Sequence, residues 1–84
     1  MSYAIVPIGT MKVIRTARDF GAAVRAARKR HRLTLAVCAG ANGVGIRFLS
    51  ELERGKETAE LGLALRVATS LGILLSASDA EDSR

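Results

Sequence analysis

The side chains best able to make several directed hydrogen bonds crowd into one short stretch of the chain. Arg47, Ser50, Glu51 and Arg54 recur at i, i+3, i+4 and i+7, which places all four on a single stripe of a helix. Phe48, Leu49 and Leu52 fall on the opposite, apolar side. Arg47 and Glu51 can pair along the helix, or the stripe can present its charges to a partner. Arg28 and Glu53 form a pair of a different kind. Arg28 lies four residues after Val24 and Glu53 four after Leu49, so each charge sits at the edge of an apolar stripe and needs an opposite charge beside it. Each is the natural partner of the other. Catalytic chemistry finds no footing here. With one cysteine, Cys38, and one histidine, His31, no intrachain disulfide, zinc ligand set or Cys/His site can be assembled. No Ser/His/Asp or paired-carboxylate site and no glycine-rich phosphate loop occurs either, so an enzyme, a metal and a cofactor are not expected.

Eighty-four residues bound the chain to one domain. A chain this short buries only about 60% of its unfolded surface, so its core is thin and a second subunit is the expected support. Charge is unevenly spread. Residues 12–56 hold eleven Lys/Arg against Asp19, Glu51 and Glu53, whereas residues 57–84 hold Arg66 and Arg84 against five acids. A basic front and an acidic back imply a polyanionic partner on one side. No apolar run approaches the roughly 18 residues of a membrane span. The lone cysteine and the absence of a signal-peptide pattern fit a reducing cytoplasm.

These groups must be positioned by helices. Residues 1–15 form an N-terminal extension in which Pro7 and Gly9 limit any strand to a short or edge one. A helix is expected over 18–31, capped by Thr16, with Asp19 in its first turn. Phe20, Val24, Ala27 and His31 face inward, and Arg18, Arg25, Lys29 and Arg32 face outward. His31 is expected at a helix cap or the core edge. Thr34 caps a second helix over 34–41, with Cys38 and Ala39 inward, and Gly43 stops it. Val44 returns to the core, and a third helix over 45–54 ends at Gly55. Thr58 is expected to cap a last helix over 59–71, ended by Gly72. That helix has two apolar faces, Leu61, Leu65, Ala68 and Leu71 on one and Leu63 and Val67 on the other. A monomer needs one, so a homodimer is expected through Leu63, Val67, Ile73, Leu74 and Leu75. The polar tail 76–84 is expected to be disordered toward its end. The expectation is an all-α, compact, five-helix domain over 16–75, with 34–41 and 45–54 as a helix-turn-helix pair.

The run Leu33-Thr34, Ala39, Gly43-Val44 and Phe48-Leu49-Ser50-Glu51-Leu52-Glu53-Arg54-Gly55-Lys56 resembles the XRE family, the helix-turn-helix of phage repressors and Cro. The resemblance covers about residues 19–75. The ending Thr58-Ala59-Glu60-Leu61-Gly62 with Leu71-Gly72-Ile73 is similar to the HipB-like branch, whose members bind a HipA-type kinase toxin and repress their own operon. The resemblance implies that helix 45–54 enters the DNA major groove and that Gly45, Ile46, Arg47 and Glu51, with Ser50 beside them, meet bases. Arg47 would reach guanine O6 and N7, and Glu51 would accept from cytosine N4. Arg54, Lys56 and the backbone amide near Thr34 match family phosphate contacts, with Arg32 a further candidate. Arg28 and Glu53 match the family's structural ion pair, and 73–77 occupy the place of a strand that pairs with the dimer mate. The function implied is a homodimeric, cytoplasmic repressor of its own operon on a pseudo-palindromic operator, and an antitoxin to a HipA-like kinase. The sequence also departs from the family. Leu35 replaces a phosphate-touching glutamine, Ala36 and Val37 replace polar residues, Gly45 replaces a serine cap, and Ile46 replaces a polar base reader. Those departures leave open an alternative, an interaction module that holds a toxin and binds DNA weakly or not at all.

Overall fold

The Thr16 hydroxyl accepts the Asp19 backbone N–H at 3.0 Å, and the Asp19 carboxylate accepts the Arg15 N–H at 3.0 Å. This reciprocal cap satisfies donors that an unstarted helix leaves orphaned. It opens α1, Ala17–Arg30, the first of four helices in the computed structural model, which describes residues 11–79. The short or edge strand allowed within the extension 1–15 lies largely outside the described residues. So does the end of the tail.

α1 closes with Arg32 in the left-handed region, at φ 58, while the Leu33 N–H reaches back to the Arg28 carbonyl at 3.1 Å. His31, expected on the inner stripe or at a cap, is the C-cap, and its Nε2 donates to the Leu71 carbonyl at 3.0 Å. Thr34 then caps α2, Leu35–Asn42, by accepting from Val37 N–H at 3.1 Å. Gly43 at φ 66 ends it, a backbone state that resists a side chain. After Val44 and Gly45 comes α3, Ile46–Glu53.

The last helix departs from expectation. α4 is Leu61–Ser70, and Glu60, not Thr58, stands at its N-cap with no side-chain cap bond. Residues 57–59 form a turn in which Ala59 packs against the core, which uses up the first turn of the expected helix. The inner face of α4 is also rotated from the expected one. Ala64, Val67, Ala68 and Leu71 are buried, whereas Leu61 and Leu65 are exposed. Among the described residues there are four helices, not five, and 73–79 carry neither helix nor strand. A strand pairing with a dimer mate has no second edge within one chain. No helix among the described residues is long and apolar enough to cross a membrane.

The core joins all four helices: Val24 and Ala27 from α1, Cys38 and Ala39 from α2, Leu49 and Leu52 from α3, and Ala64 and Val67 from α4. Cys38 is 1% exposed, and burial pushes its thiol pKa up. One glycine decides how closely α1 meets α3. A Cβ on Gly21 would sit 2.7 Å from the Glu53 carbonyl oxygen and closer still to that of Leu52. Backbone lies against backbone there.

Candidate nucleic-acid interface

The α2–turn–α3 unit is held from both sides. On the α1 side, Arg28 donates from Nε to Glu53 Oε2 at 2.6 Å and from a terminal nitrogen to Oε1 at 3.0 Å. Its other terminal nitrogen donates to the Leu33 carbonyl at 2.8 Å. One buried guanidinium therefore ties α1, the turn before α2 and the end of α3 together, as the edge positions of Arg28 and Glu53 predict. The carboxylate raises the Arg28 pKa further. On the α4 side, the Arg66 guanidinium donates to the Asn42 carbonyl at 2.7 Å, at the C-terminus of α2. The buried Asn42 amide donates to the Cys38 carbonyl at 3.0 Å and to Ser70 Oγ at 3.1 Å. Sequence reasoning missed this α2–α4 latch. Its one available signal is an asparagine in the last turn of a helix, directly before Gly43.

The unit so fixed turns the polar stripe of α3 outward. Arg47 projects into solvent, its side chain 90% exposed, and Ser50 is half-buried. Glu51, with its side chain 25% exposed, accepts from Lys56 Nζ at 3.1 Å and from Arg47 Nε at 3.2 Å. The Lys56 ammonium first, and the Arg47 guanidinium second, hold the Glu51 carboxyl below its ordinary range. The intrahelical pairing open in the sequence is therefore made, and Lys56 joins it across Gly55. Arg54 is exposed at the C-cap of α3. Gly45 caps α3 without a side-chain bond, and Ile46 is 52% exposed beside it. Arg32 and Thr34 lie on the α1–α2 turn, joined to this cluster by no hydrogen bond or ion pair, and Thr34 spends its hydroxyl on the cap. Leu35 turns toward the core, while Val37 is 56% exposed.

The residues expected at a dimer contact divide. Val67 is fully buried within the chain's own core, and Leu63 and Ile73 are half-buried. On α4 and the segment after it, the exposed large apolar side chains are Leu61, Leu65, Leu74 and Leu75. Together the interface offers outward cations, a carboxylate between two of them, and apolar groups at Val37 and Ile46, an arrangement suited to a grooved polyanion rather than to bond-making chemistry.

No protein-family model matches the chain. It is 48% identical over 61 residues to the uncharacterized HTH-type transcriptional regulator y4mF of Sinorhizobium fredii, an overlap spanning 73% of this chain and 80% of that one. In solved structures the fold is similar to that of a serine-to-alanine variant of HipB in complex with an O2 20mer, with a TM-score of 0.76 at 20% identity over 84% of this chain and 99% of the other. It is also similar to the HipB–O4 20mer complex, with a TM-score of 0.74 at 18% identity over 83% and 99%. Likeness at that identity speaks for the fold. The sequence match speaks for kinship, and it makes this protein a member of the HTH-type transcriptional regulators, DNA-binding proteins rather than enzymes.

Proposed function

We propose that this regulator is a homodimeric repressor of its own operon that inserts α3 into the major groove of a pseudo-palindromic operator. The observation that supports it best is the outward stripe Arg47–Ser50–Glu51–Arg54 on a helix locked from behind by the Arg28–Glu53 pair. Arg47 is the guanine reader, Glu51 accepts from cytosine, and Gly45, Ile46 and Ser50 complete the base-facing set. Arg54, Lys56, Arg32 and the backbone amide near Thr34 hold phosphates, and Glu51 releases Lys56 as DNA arrives. The exposed Leu61, Leu65, Leu74 and Leu75 support dimerisation next to the half-buried Leu63 and Ile73. Two copies would then meet half-sites about 34 Å apart. A mobility shift on the protein's own upstream DNA tests this. Arg47→Ala should cost about 1–3 kcal/mol on the operator and little on random DNA. Arg54→Ala should weaken both alike and flatten the log affinity–log salt slope by about 0.9. If Arg47→Ala lowers both affinities equally, Arg47 is a phosphate contact and the base-reading assignment is wrong.

A second reading draws on the apolar character of the same face. Val37 and Ile46 are more than half exposed, and Glu51 neutralises part of the charge beside them. Such a face also suits a protein partner, which the resemblance to the HipB-like branch identifies as a HipA-like kinase toxin. Co-purification of a kinase encoded beside this gene, together with no operator shift, would favour this reading.

A further inference from the structure

Among the described residues, a run of unpaired positive charge lies away from the polar stripe of α3. On α3 and its exit, Glu51 pairs with both Arg47 and Lys56, and at the α1–α3 seam Glu53 spends both oxygens on Arg28. Beside that seam runs an open groove lined by Arg18, Arg25 and Lys29 from α1 and by Arg54 from the end of α3. All four side chains are exposed and none has a hydrogen bond or ion pair among the described residues. Ala22 and Ala26 form its floor, so nothing bulky stands between the cations. Arg18, Arg25 and Lys29 follow at i, i+7 and i+11, one face of a helix, over a rise of about 16 Å. On one DNA strand that rise covers about five phosphates at about 3.4 Å of helix axis each.

We infer that this groove is a second, sequence-independent site for the DNA backbone, taking phosphates that flank the bases read by α3. The inference rests on the DNA-binding reading above and extends it to a new surface. Arg54 belongs to both surfaces, so the groove is continuous with the proposed interface and not a separate patch. Its only carboxylate, Glu53, is already committed to Arg28, which leaves no internal anion to compete with phosphate. The α3 face supplies selection, and the groove supplies a salt-sensitive grip.

The test uses the full chain and its Arg18→Gln/Arg25→Gln/Lys29→Gln variant, with unchanged thermal melts as the check on folding. Two probes are used: a 20-bp duplex selected by the parent from a random pool, and the same duplex extended by random flanks to 40 bp. The parent should bind the longer duplex more tightly, and the variant should lose that advantage. Its log affinity–log salt slope on the longer duplex should be shallower by about 0.9 for each phosphate no longer held. Equal slopes and an equal advantage in parent and variant overturn the inference while leaving α3 binding intact. Unchanged DNA binding with lost retention of poly-L-glutamate places an acidic protein in the groove and overturns it as well. A parent that binds neither duplex removes the DNA-binding reading, and this inference with it.

Discussion

The seam between α1 and α3 and the surface beyond α4 are built on opposite principles. At the seam, backbone meets backbone at Gly21, a Cβ on Gly55 would lie 2.8 Å from Arg18 Cα, and a buried bidentate pair closes the edge. On the outer face of α4 and just after it, Leu61, Leu65, Leu74 and Leu75 remain in water. The first region is finished within one chain, and the second has apolar surface left over. The helix-turn-helix is therefore oriented by intrachain contacts, and in the proposed dimer a second copy would add only the spacing between two such units.

The sharpest way to break this contrast is to remove half of the buried pair. Arg28→Ala leaves Glu53 charged and 6% exposed, and unfolding free energy should fall by about 3–5 kcal/mol. Arg28→Met with Glu53→Leu should restore much of it, measured by urea denaturation. Equal losses in the single and double variants would show that the pair is not the cause. Next come two helical glycines that should respond with opposite signs. Gly21→Ala forces α1 from α3 and should cost about 1–3 kcal/mol or more. Gly40, in the interior of α2 with open space around it, should gain about 0.5–1 kcal/mol on changing to alanine. Matching signs would mean that the close approach is not what limits the seam.

On the other side of the comparison, Leu74→Ser with Leu75→Ser should leave the monomer's stability within about 0.5 kcal/mol. It should abolish the concentration dependence of Tm expected of a dimer, with light scattering reporting the smaller mass. A monomeric parent at micromolar concentration counts against the proposed assembly. The smallest effect concerns Glu51. Its native pKa is lowered, so any stabilisation it gives is complete above the ordinary carboxylate range and is lost as pH falls through the native value. In an NMR titration, Lys56→Met should raise the Glu51 midpoint more than Arg47→Met does. The reverse order would reassign the stronger partner.

Much of this was legible in the residues because local signals agreed with tertiary ones. Thr16, Thr34, Gly43 and Gly55 marked their helix ends, and Arg28 and Glu53 betrayed their pairing by standing at the edges of apolar stripes. The misses came where packing overruled pattern. Helix α4 reads as two apolar faces, Leu61, Leu65, Ala68 and Leu71 on one and Leu63 and Val67 on the other, yet the buried face takes Val67, Ala68 and Leu71 with Ala64, which neither face includes. Thr58 looks like a cap, but burial of Ala59 keeps the turn open. Gly21 carries no signal in the sequence, because its reason lies on another element, in the carbonyls of Leu52 and Glu53. The α3 stripe was legible as a stripe. Its internal neutralisation by Lys56 was not, because that interaction crosses the turn at Gly55.

The lone thiol at the centre of the molecule has a practical consequence. Cys38 is the chain's single cysteine, 1% exposed, with burial holding its thiol in the unreactive protonated form. A soluble thiol reagent can therefore reach it only when the four helices part, so the rate of modification is a clock for opening. The clock comes with the natural sequence and needs no engineered label. Any ligand that binds the closed state should slow it in proportion to occupancy, so saturating DNA should become visible as protection of a buried atom.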